Sequence, residues 1–430
     1  MSIHHISNQI KKIFRLLALI FLVNINKTEY IISIMQNHRY LTKYTNTKSF
    51  VEGAVEFIQK HVKDKKVFCA LSGGIDSSAA YLLLKKAGVN VLPVFIDHGL
   101  MRIIRGKEES EHIKKAFPDV KIVDIRSEFL PQIYGEGDAE MKRKLFKKAY
   151  SSTFDKIIRE EKCQLLTDGT ILPDLEESFG AGINELKESM SFKDEKALRE
   201  AKKGQGFVKS QHNVEITYDV EATVQPVASL TKNQVREVLE YLGLPLELVY
   251  RKAFPGPALA ARIVGPVTEE KLAFQKKIHD LVESTVDDYY ISKYKKSMII
   301  NDKGEQEPFQ IFAATFDDAT EAEVTGLVDG KRTYDIAKCV SGDWNYDNLI
   351  QQGRELTHYT RLFYELGGKS EGKYDVVIRS VNSIDARTAT VTNLPFDLLT
   401  KLRDDLLKIT QVRNVYFDVT EKPPATIEYV

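Results

Sequence analysis

The sequence predicts an α/β protein in which a doubly wound parallel sheet is followed by a smaller α+β domain. Short apolar runs alternate with amphipathic helical stretches through the first half of the chain. This alternation is typical of parallel sheets with helical crossovers. Glycine or aspartate follows several of the apolar runs, and ligands of such sheets bind beyond the carboxyl ends of the strands. These turns therefore mark the predicted site.

The order of the predicted elements supports this fold class. The apolar spacing predicts helices over 50–62, 77–84, 108–117, 142–158 and 231–242, and strands over 67–71, 91–96, 120–125 and 163–166. Thr231 is the expected N-cap of the last helix. The pattern changes after Phe254–Pro257, so we expect a domain over 35–252 and a second over 253–430. The charged stretch 184–206 fits a mobile lid near the site and a solvated insert equally well.

The composition narrows the classes of protein. The chain has 430 residues, of which 43% are hydrophobic and 28% charged, and 61 Lys and Arg balance 61 Asp and Glu. This balance gives no overall basic surplus for binding nucleic acid. Cys69, Cys163 and Cys339 form no CxxC pair, and their odd number argues against a disulfide framework. A reducing, cytoplasmic location fits this pattern.

The first 34 residues form a leader of doubtful status. Three basic residues precede the apolar run Leu16–Val23, which is shorter than the roughly 20 residues of a membrane-spanning helix. The run resembles a signal peptide without a small-residue cleavage site, and the lack of acidic residues before Glu29 also fits a transit peptide. We favour a start at Met35, because globular sequence begins near Phe50, and we expect no membrane association.

The loop 71–78 reads Leu-Ser-Gly-Gly-Ile-Asp-Ser-Ser between a predicted strand and a predicted helix. Glycine lets the backbone approach an anion closely, and the N–H groups of a helix N-terminus favour phosphate. Ser72, Ser77 and Ser78 add hydroxyl donors, and Asp76 is a candidate Mg²⁺ ligand. The spacing differs from that of the common P-loop. A tight turn with a serine cap is the alternative, but the complete motif after a strand favours phosphate binding.

This loop resembles the Ser-Gly-Gly-x-Asp-Ser loop of the ATP pyrophosphatases, which cleave ATP between the α and β phosphates. The resemblance implies the adenine nucleotide alpha hydrolase-like fold. The loop alone fits NAD synthetases, argininosuccinate and asparagine synthetases, tRNA-thiolating enzymes and GMP synthases.

Later segments resemble GMP synthases in particular, in the same order and over about residues 50–430. The similar segments are Phe95–Arg102, Asp168–Ser178 (GT(I/L)xPDxxES), His212–Val214 (HNV), Lys232–Arg236 (KxxVR), Ala253–Arg262 (PFPGPGLAIR) and Lys422–Val430 (KPPATIE). The resemblance implies a carbon–nitrogen ligase of purine biosynthesis that makes GMP, AMP and pyrophosphate from XMP, ATP and ammonia. A ring carbonyl oxygen leaves poorly, and adenylation converts it into a good leaving group. Positioning and charge neutralisation would then dominate catalysis.

The resemblance also implies roles for individual residues. ATP and pyrophosphate contacts fall on Ser72, Gly73, Gly74, Ile75, Asp76, Ser77, Ser78, Phe95, Arg102, Gly169 and His212. XMP contacts fall on Arg379, Lys422, Thr426, Ile427 and Glu428. Mg²⁺ ligands are Asp76, Asp174 and Glu177, and the catalytic set is Asp76, Lys232 and Asp174.

Several of these assignments compete with structural alternatives. Asp174 could simply turn the chain, Lys232 could be solvated at a helix start, and Arg102 could be a surface arginine. A lone histidine such as His212 is more often structural. Arg379 fits a phosphate contact or a dimer contact.

The sequence also departs from the family pattern. Asp168 stands where the family usually has Gln, Gln211 replaces the first His, Glu215–Thr217 replaces Gly-Gly, and Ala258 and Ala261 replace Gly and Ile. A stretch of 37 residues, 336–372, separates Tyr334-Asp335 from Lys373, where the family runs straight into a strand. These departures keep open a degenerate paralogue that only binds nucleotide.

The partners follow from the resemblance as well. Many GMP synthases carry a glutaminase domain, and the 69 residues before Ala70 leave no room for one. We therefore expect ammonia from solution or from a separate glutaminase subunit, and a homodimer formed through the second domain. The competing hypotheses are a tRNA-modifying or NAD synthetase-like ATP pyrophosphatase.

Overall fold

The computed structural model describes residues 37–41, 43–179, 187–191, 194–195, 197, 218–252, 254–295, 309–328, 331–383 and 388–430. The leader 1–34, His212 and most of the predicted lid over 184–206 lie outside the described residues, as does the side chain of Glu177.

The first half of the chain alternates strands and helices as expected. In chain order it contains β1 (Asn37–Tyr40), α1 (Thr47–Val62), β2 (Val67–Ala70), α2 (Ile75–Lys86), β3 (Val91–Asp97), β4 (Ile103–Ile104), β5 (Lys107–Glu108), α3 (Glu109–Ala116), β6 (Lys121–Asp124), α4 (Arg126–Ile133), α5 (Ala139–Glu160), β7 (Leu165–Thr167), α6 (Leu172–Phe179), β8 (Ser189–Ser191), β9 (Ala222–Gln225), α7 (Lys232–Tyr241) and α8 (Leu246–Val249).

The second half is dominated by a long helix and an extended sheet. It contains a 3₁₀ turn (Ala258–Arg262), α9 (Glu269–Tyr294), β10 (Phe309–Phe316), β11 (Glu323–Val328), β12 (Lys331–Val340), α10 (Tyr346–Arg354), β13 (Arg361–Gly368), β14 (Tyr374–Asn382), β15 (Thr390–Val391), α11 (Phe396–Leu407) and β16 (Val412–Asp418).

Local capping explains where several helices begin. α1 starts three residues before its predicted start because the Asn46 side chain accepts the Ser49 N–H at 3.0 Å. At the start of α7, the Gln234 side chain accepts the Thr231 N–H at 2.8 Å, and the Thr231 hydroxyl lies 3.5 Å from the Gln234 nitrogen. This reciprocal pair is a capping arrangement, so the predicted cap at Thr231 is confirmed.

The described chain forms two compact units. The first takes residues up to Ala70, Ala79–Leu92 and Asp155–Val235. Its strands follow the order β2-β7-β9-β1-β8, and every neighbouring pair is parallel except β1 with β8. The buried face of α1 carries apolar side chains at helical spacing, including Phe50, Ala54 and Phe57.

The second unit takes Leu71–Ser78, Pro93–Phe154 and Arg236–Val430. Here β3 pairs with β6 in parallel. The larger sheet of this unit has the order β10-β14-β16-β13-β12-β11, with β15 on β14. Apolar side chains of α9 and α11 share a buried core with this sheet. The fold class is thus confirmed: an α/β region with a parallel sheet, followed by a sheet domain with packed helices.

The stretch 336–372 is an integral part of the second sheet. It supplies the end of β12, all of α10 and all of β13. β13 lies between β12, with which it is parallel, and β16, with which it is antiparallel. Among the described residues, no helix is long and apolar enough to span a membrane.

Candidate functional site

The glycine-rich loop joins the end of β2 to the start of α2, as predicted. The carbonyl of Gly74 accepts the hydroxyls of Ser77 at 3.1 Å and of Ser78 at 2.8 Å. The Ser72 hydroxyl accepts the Gly74 N–H at 3.3 Å and lies 3.1 Å from the Ser77 hydroxyl. Because Ser77 and Ser78 donate to the loop itself, they shape the turn. This leaves the backbone N–H groups at the start of α2 as candidate donors to an anion.

Gly73 occupies a position that only glycine fits. Its φ of 80° lies in the left-handed region. A Cβ there would come within 2.7 Å of Ile113 Cδ1 and 3.2 Å of Arg251 Nη1. Glycine at this position thus permits the left-handed turn and leaves room for the Arg251 side chain.

Arg251 ties this loop to a buried carboxylate. Its Nη1 donates to the Gly73 carbonyl, and its Nη2 donates to Glu109 Oε1. The side chain of Glu109 is 1% exposed. Burial alone would raise the pKa of Glu109, but the charges of Arg102 and Arg251 outweigh it and hold that pKa below its ordinary value. Glu109 is therefore an ionised anchor for the arginine that holds the loop.

Arg102 is a buried residue, so the surface-arginine alternative is wrong. Its Nη1 donates to Glu283 at 2.9 Å and 3.1 Å, and its Nε faces Glu109 Oε2 at 3.4 Å. The Phe254 ring lies 5.0 Å from its guanidinium. Burial pushes the pKa of Glu283 up, yet Arg102 and Lys252 bring it well below its ordinary value.

A cleft of about 690 Å³ opens beside the loop, within the size range of small-molecule sites. Its lining includes Gly73, Ser78, Arg102, Arg251 and Lys252. The lining also contains Glu109, Glu247, Glu283 and Asp287, so carboxylates balance the guanidinium and ammonium groups of this cleft.

In the second unit, His98 lies in a cluster of aromatic side chains and is neutral. Its ring lies 4.9 Å from the Phe146 ring and 6.1 Å from the Phe129 ring. The Leu100 N–H donates to His98 Nδ1 at 3.2 Å. Burial lowers the pKa of His98 to about 4, so the imidazole supports the turn after β3 as an acceptor and carries no charge at neutral pH.

The C-terminal tail is held by two buried arginines, an arrangement we call the tail anchor: Arg361, Arg379, Asp418 and Tyr429. Both guanidiniums lie 2.8 Å from Asp418 Oδ2, and the Tyr429 hydroxyl donates to the same oxygen at 3.0 Å. Burial opposes the charge of Asp418, but the two arginines hold the pKa of its carboxyl below the ordinary value.

The same arginines also grip the tail backbone. Arg379 donates to the carbonyls of Ile427 and Thr426 at 2.9 Å each, and Arg361 donates to the Glu428 carbonyl at 2.6 Å. The Thr426 hydroxyl lies 2.6 Å from the Thr325 hydroxyl. The Arg379 guanidinium is therefore engaged by hydrogen bonds to the backbone of this chain's own tail.

The Glu428 carboxylate points to a third arginine. Arg262 donates to its oxygens at 3.2 Å and 3.3 Å, and Gln310 donates at 3.3 Å. Arg262 is 1% exposed and packs 4.0 Å from the Phe312 ring centroid. Glu428 itself keeps 17% of its side chain exposed.

The remaining predicted site residues within the described part of the chain do not line the cleft. Phe95 is buried in β3. Asp174 Oδ2 accepts the Ile171 N–H at 3.0 Å and so caps α6, whereas Lys232 is the first residue of α7. Gly169 lies in the turn after β7, where the Asp168 carboxylate accepts the Thr170 N–H at 3.1 Å. Asp174, Lys232 and Gly169 belong to the first unit, whereas the loop and the tail belong to the second.

Among the described residues, no group of three or more His, Cys, Asp or Glu side chains is arranged to hold a metal ion. Mg²⁺ in nucleotide sites is held by one or two carboxylates together with substrate phosphates. Asp76, in the first turn of α2, fits that mode.

Sequence reasoning assigned no role to several residues of this site, namely Glu109, Arg251, Arg262, Glu283, Arg361 and Asp418. Arg262 lies inside the segment Ala253–Arg262, and the resemblance of that segment to GMP synthases could have identified it. The contacts of the others join positions far apart in sequence, such as Arg251 with Gly73 across 178 positions.

A glycine-rich anion loop between a strand of a parallel sheet and a helix, beside a charged cleft, defines a nucleotide-binding α/β protein. A model described as tRNA methyl transferase HUP domain matches residues 65–128, and one described as GMP synthase C terminal domain matches residues 365–429.

Curated relatives match almost the whole chain. The B subunit of glutamine-hydrolyzing GMP synthase from Saccharolobus solfataricus is 33% identical over 402 residues, covering 89% of this chain and 98% of the relative. The corresponding B subunit of Methanocaldococcus jannaschii is 34% identical over 390 residues, with the same coverage. The chain belongs to the family of GMP synthase B subunits. A solved NMN synthetase from Francisella tularensis is 12% identical to this chain, with a TM-score of 0.33 over 54% of this chain and 84% of that chain.

Proposed function

We propose that this chain is the synthetase subunit of a two-subunit GMP synthase, which adenylates XMP with ATP and aminates the intermediate with ammonia. Its membership of the B-subunit family makes it an ATP-dependent ligase of GMP synthesis. The observation that carries the proposal is the position of the tail: Arg379 and Arg361 fix its backbone, and the Glu428 side chain, 17% exposed, lies in the same unit as the glycine-rich loop.

The first step joins the XMP C2 carbonyl oxygen to the α-phosphorus of ATP and releases pyrophosphate. Backbone N–H groups of the loop would hold the departing pyrophosphate, and Arg102 would help to neutralise its charge. Phe95 and Ile75 would shape the surroundings of the nucleotide. In the second step ammonia attacks C2 and AMP leaves. Positioning supplies most of the rate enhancement, because the chain forms no covalent bond to either substrate.

The tail residues would hold the acceptor purine nucleotide. Lys422 supplies a cation for its phosphate, and Glu428 supplies an acceptor for its ring or ribose donors. Thr426 and Ile427 would lie beside this nucleotide in a fixed backbone conformation, because Arg379 donates to both of their carbonyls. Arg379 thus contributes by positioning the tail.

A magnesium ion, when bound, would neutralise the charge that builds on the pyrophosphate. Asp76, in the first turn of α2, would hold it together with the phosphates of the substrate.

Ammonia would come from solution or from a separate glutaminase subunit, consistent with the relatives' name, which makes each of them one component of a glutamine-hydrolyzing synthase. We further propose a homodimer and a cytoplasmic location.

The test is an assay of purified chain with XMP, ATP, Mg²⁺ and ammonium, in which XMP loss and AMP formation are followed. GMP and AMP should appear in equal amounts. AMP that accumulates only with a tRNA or with nicotinate adenine dinucleotide would instead identify a tRNA-modifying enzyme or an NAD synthetase-like enzyme. Absence of AMP with every acceptor would indicate a paralogue that only binds nucleotide.

Asp76→Ala should abolish AMP formation, and Asp397→Ala is its matched control. Both aspartates lie in the first turn of a 12-residue helix, but Asp397 is an exposed residue at the start of α11. Full turnover by Asp76→Ala would contradict the role of this carboxylate.

A further inference from the structure

A continuous line of buried charged and polar side chains runs from the tail to the phosphate loop. We call this line the relay, and its members in order are Glu428, Arg262, His279, Glu283, Arg102, Glu109 and Arg251. All of them lie in the second unit.

The tail half of the relay passes through one turn of α9. Arg262 Nη1 lies 3.3 Å from His279 Nδ1 and 3.4 Å from His279 Nε2, and His279 Nε2 lies 3.0 Å from Glu283 Oε2. A carboxylate can only accept, so the neutral His279 donates to Glu283 from Nε2, while Arg262 contacts the ring near both nitrogens. This neutral histidine joins an arginine to a carboxylate without adding charge.

The loop half of the relay continues with alternating charges. Glu283 accepts from Arg102, Arg102 faces Glu109, and Glu109 accepts from Arg251, whose other nitrogen donates to the Gly73 carbonyl. The relay therefore ends on the backbone of the loop proposed to hold pyrophosphate.

Burial makes these contacts interdependent. The side chains of Arg262, His279, Arg102 and Glu109 are between 0% and 3% exposed, whereas the two ends, Glu428 and Arg251, are 17% and 16% exposed. A buried charge that loses its partner is costly, so a shift of one member favours a compensating shift of the next. The relay is thus most exposed at its two ends, and Glu283 in its middle is 11% exposed.

One joint in the relay is loose. Arg102 Nε and Glu109 Oε2 face each other at 3.4 Å, and within the described part of the chain both atoms are buried without a hydrogen bond. A small movement of either side chain would convert this contact into a charge-assisted hydrogen bond. The joint is therefore the place where the relay can shorten.

We propose that His279 and Glu283 are positioning residues that couple binding of the acceptor nucleotide at Glu428 to the geometry of the Gly73 loop. A ligand that bonds the Glu428 carboxylate draws it away from Arg262, and the rearrangement passes through His279 and Glu283 to the loose joint and Arg251. The proposal rests on the proposed function, because it takes XMP as the ligand of the tail.

The test measures the affinity for α,β-methylene-ATP, in which the bond to be cut is blocked, by calorimetry with and without saturating XMP. XMP should tighten binding about fivefold or more in the natural chain, and the analogue should tighten XMP binding by the same factor. In His279→Gln and Glu283→Gln, each ligand alone should bind within about threefold of the natural affinity, but the coupling factor should fall below about twofold.

Gln275→Asn is the matched control. Gln275 is a buried polar residue of α9, one turn before His279, and it bonds to Ala313 and Thr315 outside the relay. Its variant should keep the natural coupling factor. Thermal unfolding of each variant identifies any that fails to fold, and the two relay variants are independent tests.

The outcomes separate the two proposals. If XMP binds and is converted to GMP but does not affect binding of the analogue, or if both relay variants keep natural coupling, the relay proposal is overturned alone. If XMP neither binds nor reacts, the proposed function is wrong, and the relay proposal, which depends on it, is wrong as well.

Discussion

The tail anchor and the relay are both buried clusters of arginine and carboxylate, but their geometry differs. In the tail anchor, Asp418 receives two guanidiniums at 2.8 Å each and the Tyr429 hydroxyl at 3.0 Å. The relay contains short ion pairs as well, such as Arg102 with Glu283 at 2.9 Å, but the pairs of Arg262 with Glu428 and of Arg102 with Glu109 lie at 3.2 Å and 3.4 Å.

This difference indicates two uses of the same chemistry. A buried carboxylate with several short, charge-assisted bonds is strongly fixed, because any movement leaves an unpaired charge. Longer contacts with polar atoms still unbonded allow a second arrangement at small cost. The tail anchor therefore defines where the tail lies, and the relay permits adjustment.

The largest effect should come from removing the carboxylate of the tail anchor. Asp418→Ala leaves two buried guanidiniums without their shared partner and should lower the free energy of unfolding by about 4 kcal/mol. Urea unfolding followed through Trp344, the single tryptophan of the chain, measures this. Glu109→Gln in the relay should cost less, and an equal loss would remove the distinction between the two clusters.

Acid should affect the relay before the tail anchor. Burial lowers the pKa of His279 from 6.5 to about 4, so its neutral form stabilises the folded chain fully above pH 6.5. As the pH falls from 6.5 towards 4, the unfolded chain binds a proton that the folded chain does not, and stability is lost.

This histidine should contribute a loss of about 2 kcal/mol between pH 6.5 and 4.5. The natural chain and His279→Gln are compared by urea unfolding across this range, and the variant should show a shallower dependence. Asp418 has its pKa below the ordinary value, so it stays ionised over most of the same interval. Parallel pH curves for the two proteins would contradict this assignment.

A methyl group at Gly73 should weaken nucleotide binding about tenfold, which corresponds to roughly 1.4 kcal/mol. It meets Ile113 and Arg251, and a side chain is strained at that φ. Gly88→Ala is the control, because Gly88 has a φ of 70° but nothing lies within 4 Å of its added Cβ. Calorimetry with α,β-methylene-ATP should show a loss for Gly73→Ala and unchanged affinity for Gly88→Ala.

The smallest effect should come from an exposed ion pair. Asp405 contacts Lys401 and Lys408 on the surface of α11, and Asp405→Ala should change the free energy of unfolding by about 0.5 kcal/mol or less. The same urea titration measures it. A loss comparable with that of Asp418→Ala would show that burial is not what distinguishes the tail anchor.

The sequence predicted the elements and motifs whose signals are local. The run 67–71, the glycines that follow it and the Thr231 cap depend on neighbouring residues, and each lies where it was expected. The domain boundary near 252 stays a prediction.

The pairs that organise the site could not be predicted in this way. Arg102 meets Glu283 across 181 positions, and no spacing rule relates two side chains brought together by separate elements. The same reason explains why Arg102 could be taken for a surface residue. For Arg379, the motif indicated importance, but only the fold shows that its guanidinium holds the tail backbone.

The stretch 336–372 has a consequence for how the tail is supported. The tail lies against β11, where the Leu327 N–H donates to the Pro424 carbonyl at 2.7 Å and the Thr325 N–H to the Tyr429 carbonyl at 3.1 Å. β11 joins the rest of its sheet only through β12, and β12 only through β13, within the described strand order. The stretch 336–372, which departs from the family pattern, thus connects β11 and the tail to the rest of the sheet. Deleting this stretch would separate β11 from the sheet, although none of the deleted residues is proposed to contact a nucleotide.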